Sequence, residues 1–181
     1  TFLVCPSHFP DNIHPFFGAI SSEKLRLLFN LRWFNGYISK LKYQQPTIDD
    51  FLRHLCPSDL LWFEDMTSCF QQLSLCPADM KRLGFQFFHK GRLYTMIPTY
   101  ALFGASANPF LVRERYKAEV KLCNMINERM ILWIDDLNGI VDGELPQPDL
   151  CTIRSTSKWV FENGGTMFSA EKGVKWIPQP F

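Results

Sequence analysis

Two adjacent aspartates are the residues of this chain with the clearest capacity for chemistry. Asp135 and Asp136 lie inside the apolar run 130–137, directly after Trp133 and Ile134. The run is too short to span a membrane, and it predicts a buried strand. Two carboxylates at the end of a buried strand cost free energy unless something neutralises them. A divalent cation is the obvious candidate, because hard cations prefer carboxylate oxygens.

A third aspartate, Asp65, follows another apolar run at 60–64. Two strands of one small sheet can bring Asp65 and Asp135 side by side. Carboxylates from both would then bridge two Mg²⁺ ions roughly 3.5–4 Å apart, which is the arrangement used for in-line phosphoryl transfer. The alternative is that Asp135 and Asp136 form an ordinary β-turn and that Asp65 merely ends a strand, because Asp is common at turns. The spacing alone leaves both interpretations open.

Composition narrows the class of protein. With 181 residues, of which 46% are hydrophobic, the chain can bury a substantial core in one domain or slightly more. The net charge of +1 announces no global affinity for nucleic acid, although a local basic patch is compatible with it. The six cysteines show no metal-binding or disulfide spacing, which predicts reduced thiols in an intracellular protein of the cytoplasm or nucleus, not a secreted one. We expect no contact with a membrane, and the first residue, Thr1, suggests a piece of a longer chain.

Periodicity and turn residues predict an α+β chain. The pattern favours strands at 25–32, 60–64, 84–88, 92–97, 130–137, 137–141 and 166–170. It favours helices at 46–55, 109–129 and 150–162, the first with Thr47 as its N-cap, and a loop over the first twenty residues. From residue 60 onward this order predicts two helices against an antiparallel sheet, the ferredoxin-like arrangement.

Five segments of the chain, spread over nearly its whole length, resemble motifs of the reverse transcriptases of retroelements. Residues 65–70 resemble the first palm motif, in which an aromatic residue follows the Asp by five positions. Residues 103–110 resemble the Phe-Gly-Leu-Ser-Ser-x-Pro segment that opens the next palm helix, and residues 133–136 resemble the aromatic-x-Asp-Asp box. Residues 164–172 resemble the later glycine-to-lysine motif, and residues 24–35 resemble the fingers segment that precedes the palm.

The resemblance implies an α+β polymerase palm, a ferredoxin-like antiparallel sheet with two helices, joined to a fingers subdomain. We expect fingers at about 1–58 and 76–105 and palm at about 59–75 and 106–181. The thumb is absent from this stretch, and we expect it, with further domains, in a parent polyprotein.

The resemblance also implies a metal-dependent catalytic site. Asp65 and Asp135 would be the principal ligands of two Mg²⁺ ions, for which Mn²⁺ could substitute, and Asp136 would be a secondary ligand. Lys172 would donate a proton to the leaving pyrophosphate or neutralise it. Trp133 replaces the more usual Tyr of the family and could stack near a primer terminus.

The remaining site residues would bind the incoming deoxynucleoside triphosphate. Lys24 and Arg26 would contact the triphosphate, and Phe70 would exclude a 2′-hydroxyl by steric conflict. Gly104 and its neighbour Phe103 would let the backbone approach the nucleotide and the template.

The implied function is RNA-directed DNA polymerisation, in which deoxynucleotides are added to a primer 3′-OH on an RNA or DNA template. An RNA-directed RNA polymerase is one alternative, against which Phe70 argues. A decayed or domesticated retroelement segment that only binds nucleic acid or a protein is another. If the carboxylates of Asp65 and Asp135 point apart, the binding-only interpretation gains.

Overall fold

The computed structural model describes residues 2–4, 9–21, 24–39, 41–125, 129–145, 147–169 and 175–178. The strands are β1 (Phe2–Val4), β2 (Phe16–Ser21), β3 (Lys24–Phe29), β4 (Leu60–Asp65), β5 (Phe85–His89), β6 (Arg92–Pro98), β7 (Arg129–Trp133), β8 (Asp136–Val141) and β9 (Lys175–Pro178). The helices are α1 (Arg32–Tyr37), α2 (Ile48–Leu52), α3 (Pro77–Lys81), α4 (Asn108–Asn124) and α5 (Gln147–Asn163). A 3₁₀ turn follows β4 at Cys69–Gln72. The chain is thus a mixed α/β fold whose strands pair antiparallel.

The chain divides into two compact units. The first comprises residues 1–41 and 70–108, and the second comprises residues 42–69 and 109–181. The first unit contains the β2–β3 hairpin and a three-stranded sheet in the order β1-β6-β5. Aromatic rings fill it, with Phe85 at 5.1 Å from both Phe16 and Phe29 between ring centroids.

The second unit contains the sheet that carries the three candidate aspartates. Its strands lie in the order β7-β8-β4-β9, so β4 is an inner strand. Trp62 of β4 is fully buried and lies directly opposite Gly139 of β8. A Cβ atom at Gly139 would come within 2.1 Å of the Trp62 ring, so the indole occupies the space that any other residue would need. This contact fixes β8 against β4 close to the aspartates.

Helix α5 covers one face of the sheet. Glu64 of β4 is buried and lies 3.4 Å from the ammonium of Lys158 and 3.8 Å from the guanidinium of Arg154, both on α5. Helix α4 contacts α5 through the rings of Tyr116 and Phe161, 5.9 Å apart. Because successive side chains of a strand point to opposite faces, Asp65 projects from the other face of β4.

Several local predictions are confirmed. Thr47 caps α2 in a capping box, in which its side chain and that of Asp50 each accept a backbone hydrogen bond from the other residue. The predicted hairpin is formed by β5 and β6. Helix α5 ends at Asn163, as the following glycines indicated.

Other predictions are wrong at their boundaries. Helix α4 ends at Asn124, not at 129, because the Asn124 side chain accepts the Met130 N–H at 2.6 Å and turns the chain into β7. The strand expected at 25–32 ends at Phe29, because Leu31 is buried in the core of the first unit and helix α1 begins directly after it.

Two further predictions, one of a loop and one of a strand, need correction. The first twenty residues are not all loop, since they include β1 and most of β2, whose pairing partners lie elsewhere in the chain. In the stretch 166–169 the structure shows only an isolated bridge between Phe168 and Met66, and Ala170 lies outside the described residues. Among the described residues, no helix is long and apolar enough to cross a membrane.

Candidate active site

Three candidate residues form a row across the sheet of the second unit. Asp65 at the end of β4 lies opposite Asp136 at the start of β8, and Asp136 lies opposite Trp133 at the end of β7. Side chains of directly opposite residues project from the same face, with Cβ atoms about 4.5–5.5 Å apart. The row Trp133–Asp136–Asp65 therefore lies on the face of the sheet opposite the one that α5 covers.

The carboxylates of this row are accessible to solvent. Asp135 and Asp136 are exposed and Asp65 is half-buried. Trp133 is 37% exposed, so the strand before the Asp pair is not the fully buried strand that its apolar sequence predicted. An exposed aromatic ring in this position can stack on a planar group of a ligand. A cation bound by the neighbouring carboxylates could hold such a ligand near the ring.

The expected pairing of Asp65 with Asp135 is corrected by one residue. Asp136, not Asp135, is the register partner of Asp65, because Ile134 and Asp135 form the two-residue turn between β7 and β8. Asp135 thus lies one residue before the row, at the tip of the hairpin.

The turn itself has an unusual backbone. Ile134 has φ of 56°, and Asp135 is not among the described residues with positive φ. A positive φ at the first central residue alone is the pattern of a type II′ turn, in which Gly is preferred. A β-branched residue in this conformation is strained by roughly 1–3 kcal/mol. Strain therefore sits at the residue directly before Asp135.

Donors from the segment after β4 contact this turn. The Met66 N–H donates to the carbonyl oxygen of Asp135 at 2.8 Å, and the Cys69 thiol donates to the carbonyl oxygen of Ile134 at 3.8 Å. Cys69 is buried, with 4% of its surface exposed. The segment that continues from Asp65 therefore also holds the turn that carries Asp135.

The other side of β4 is held by the residues after α5. The Ser169 N–H donates to the Asp65 carbonyl at 2.9 Å, and the Thr67 N–H donates to the Met167 carbonyl at 2.8 Å. The chain reaches this position through a tight helix end, where Gly165 has φ of 87°. A Cβ atom at Gly164 would lie 2.6 Å from Glu119 Oε1, so this glycine allows α5 to end close to α4.

The charges of Asp65 and Asp135 both act on the buried thiol of Cys69. Burial raises the pKa of Cys69 to about 12, and the negative charges of Asp135 and Asp65 contribute to the rise. Both carboxylates therefore act on the same buried group. Asp65 also lies directly opposite Asp136, so a cation bound at this end of the sheet could contact carboxylates from two strands.

The carboxylate oxygens at this site are ligands that Mg²⁺ prefers, although few protein ligands are gathered here. Within the described ranges, no three His, Cys, Asp or Glu side chains are gathered closely enough to hold a metal ion. Mg²⁺, however, is usually bound by one or two carboxylates, with water and substrate phosphates completing its octahedron. The opposed pair Asp65 and Asp136 meets that requirement, with Asp135 next to it in sequence.

The aromatic candidates of the first unit contact each other. The rings of Phe70 and Phe103 meet edge to face, with centroids 5.0 Å apart. Gly104 has φ of 103°, and a Cβ atom there would lie 3.0 Å from the Phe29 carbonyl oxygen. This position therefore requires glycine for a local reason, independent of any ligand.

An asparagine that sequence reasoning missed holds this loop. Asn35 donates from Nδ2 to the Gly104 carbonyl at 2.8 Å, and its Oδ1 accepts the Ser106 N–H at 2.9 Å. Asn35 is the last residue of the segment 24–35, but nothing in its type or spacing indicated a contact so far along the chain. The contacts of Cys69 and Met66 with the β7–β8 turn were likewise not predicted, because apolar residues that follow a strand usually indicate only burial in the core.

Two of the three basic candidate residues lie within the described part of the chain. Arg26 is exposed on β3, opposite Ala19 of β2. Lys24 begins β3, opposite Ser21. Lys172 lies outside the described residues.

No protein-family model matches the chain, and no curated protein sequence matches it. Its fold is similar to a solved structure of a foamy viral protease-reverse transcriptase (dRH) in complex with double-stranded DNA, with a TM-score of 0.77 at 13% sequence identity. The match covers 94% of this chain and 28% of the viral one, so the chain spans little more than a quarter of that protein's length. At this identity the likeness concerns the fold.

Proposed function

We propose that this chain is the catalytic part of an RNA-directed DNA polymerase, which adds deoxynucleotides to a primer 3′-OH on an RNA or DNA template. The observation that carries the proposal is the register of β4 against β8, which sets Asp65 opposite Asp136 beside the turn that holds Asp135. The fold that places them is similar to that of the foamy viral protein. A chance pair of turn aspartates would need no acidic partner on the neighbouring strand.

The aspartates supply the ligands for this chemistry. Asp65 and Asp135 would be the principal ligands of Mg²⁺, and Asp136, the register partner of Asp65, would add a further carboxylate. When bound, the ions supply charge neutralisation on the phosphates and a lower pKa for the attacking hydroxyl. Because phosphoryl transfer depends mainly on positioning and charge, the rigid backbone around these carboxylates is the chain's own contribution.

The palm would lie at about 59–75 and 106–181, largely within the unit of residues 42–69 and 109–181 that carries the three aspartates, and the fingers would lie at about 1–58 and 76–105. Trp133 would stack near the primer terminus, since it shares a sheet face with Asp136. Lys172 would act on the pyrophosphate.

The nucleotide contacts are proposed from the first unit. Phe70 would exclude a 2′-hydroxyl, and the edge-to-face contact with Phe103 keeps its ring in one orientation. Gly104 lies in the loop that Asn35 fixes, and this loop would contact the base pair being formed. Lys24 and Arg26 on β3 would contact the triphosphate.

A binding-only segment is the competing function. It is favoured by the fact that the described part of the chain gathers no three metal-ligating side chains. Such a protein would bind a primer–template without extending it. Binding and extension must therefore be measured on the same sample.

Primer extension tests the proposal. The purified full-length protein is mixed with Mg²⁺ and a labelled primer on RNA and DNA templates, and each deoxynucleotide is supplied singly. We expect incorporation of the complementary nucleotide only, its loss in Asp65→Asn, and its retention in Asp142→Asn, an exposed aspartate just past the far end of β8. Duplex binding without incorporation would support the binding-only function, and full activity of Asp65→Asn would exclude these carboxylates from catalysis.

A further inference from the structure

Both carbonyl groups of the β7–β8 turn accept contacts from one short segment. The Asp135 carbonyl accepts the Met66 N–H, and the Ile134 carbonyl accepts the Cys69 thiol. These donors lie one and four residues after Asp65. The backbone that carries one candidate ligand therefore restrains the turn that carries another.

The restraint acts on a turn that resists its own conformation. Ile134 is β-branched and has φ of 56°, which few such residues adopt. A turn of this kind persists only where its surroundings hold it. The Met66 contact belongs to the backbone and would survive most substitutions, so the side chain of Cys69 is the variable part of the restraint.

Cys69 is well placed for this task. Its sulfur is buried and lies 3.9 Å from the Met66 sulfur, so the thiol is fixed between the segment and the turn. Cys123 on α4, a second described cysteine of the same unit, is also buried, with 0% of its surface exposed. The two thiols are therefore alike in burial.

We propose that Cys69 is a positioning residue, whose thiol holds the Ile134 carbonyl and thereby keeps Asp135 in place for the bound cation. This inference rests on the proposed polymerase function. Loss of the thiol would let the turn relax toward a less strained conformation and displace the Asp135 carboxylate. Misplacement of a reacting group by about 1 Å can slow a reaction by about a hundredfold. Loss of a weak contact of this kind can therefore change the reaction rate measurably.

Two substitutions separate positioning from packing. Cys69→Ala removes the donor, whereas Cys69→Ser keeps a donor in a side chain of similar size. Cys123→Ala is the matched control for the loss of a buried thiol. Each full-length variant is measured by hydrogen–deuterium exchange of the peptide covering residues 130–138 and by the Mg²⁺ concentration that gives half-maximal addition of one nucleotide.

We expect Cys69→Ala to exchange about three- to tenfold faster in this peptide and to need several times more Mg²⁺, with little change in the KM for the nucleotide. Cys69→Ser should recover both properties, and Cys123→Ala should change neither. Wild-type exchange and wild-type Mg²⁺ dependence in Cys69→Ala would overturn the proposal, as would a serine variant that behaves like the alanine variant. If the wild type adds no nucleotide, the polymerase function fails, and the exchange data alone decide whether Cys69 restrains the turn.

Discussion

Asp65 lies directly opposite Asp136, at the point where β4 ends and β8 begins. Their side chains project from the same face of the sheet. Directly opposed side chains of an antiparallel pair have Cβ atoms about 4.5–5.5 Å apart, so carboxylates from two strands can contact one bound cation here.

Mg²⁺ should stabilise the wild type more than a variant that lacks one carboxylate of this pair. Asp136→Asn removes one candidate ligand, so we expect Mg²⁺ to raise its free energy of unfolding by less than it raises that of the wild type, as measured by urea denaturation. Asp142→Asn, the control, should respond to Mg²⁺ like the wild type. An equal response of Asp136→Asn and the wild type would contradict a cation bound between the two strands.

The backbone of Ile134 predicts an inverted preference between glycine and alanine. At a residue with φ of 56°, glycine escapes the steric conflict that alanine retains. We therefore expect Ile134→Gly to be more stable than Ile134→Ala by about 1 kcal/mol, as measured by thermal or urea unfolding. At Ile131, an ordinary position of β7, alanine should be the more stable of the two. If alanine were more stable than glycine at Ile134 as well as at Ile131, the positive φ of Ile134 would be contradicted.

The raised pKa of Cys69 predicts a thiol that resists alkylation. Burial and two carboxylates raise this pKa from 9.0 to about 12, so at pH 8 the thiolate fraction is about a thousandfold below that of an ordinary cysteine. We expect iodoacetamide to label the exposed Cys56, Cys76 and Cys151 while Cys69 stays unmodified, as read by mass spectrometry of peptides.

The same shift predicts a pH dependence of stability. Because the pKa of Cys69 is higher in the folded than in the unfolded state, its contribution is complete below pH 9 and is lost as the pH rises toward about 12. The decline in the free energy of unfolding above pH 9 should be smaller in Cys69→Ala. Rapid labelling of Cys69 at pH 8, or an unchanged decline, would contradict its burial beside the aspartates.

Phe70 should control the choice of sugar. Phe70→Ala removes the ring that would meet a 2′-hydroxyl, and we expect the preference for deoxyribonucleotides over ribonucleotides to fall by about a hundredfold, mainly through faster use of ribonucleotides. The ratio of kcat/KM for matched nucleotide pairs measures it. Phe88→Ala, which removes an exposed ring of the same unit, should leave the ratio unchanged. An unchanged ratio in Phe70→Ala would remove the gate role.

The strands that carry the aspartates could be predicted from sequence, but their register could not. Apolar runs located β4 and the β7–β8 region, because burial leaves a local trace in composition. Which aspartate faces Asp65 depends on a turn at Ile134 and Asp135, a pair that lacks the usual Asn-Gly or Asp-Gly signal. A shift of one residue exchanges the faces of a whole strand, so a missed turn changes the predicted partner.

Non-local contacts explain the other omissions. Within the part of the chain that the structure describes, strand β1 pairs with β6, far along the sequence, and three residues are too few to show an alternation of their own. Asn35 is identified as a loop-holding residue only when Gly104 and Ser106 are seen beside it. Local periodicity carries no information about such partners, whereas the capping box at Thr47 is complete within four residues and was predicted at its N-cap.

Nucleotide addition by the aspartates at the end of β4 and in the β7–β8 hairpin can be measured as the single-turnover rate of adding one complementary deoxynucleotide in Mg²⁺. The comparison is among the wild type, Asp135→Asn and the control Asp142→Asn. We expect template-dependent addition by the wild type and by Asp142→Asn, and a rate lower by about 10³-fold or more in Asp135→Asn at unchanged primer–template affinity. Addition by Asp135→Asn at the wild-type rate would exclude Asp135 from the chemistry.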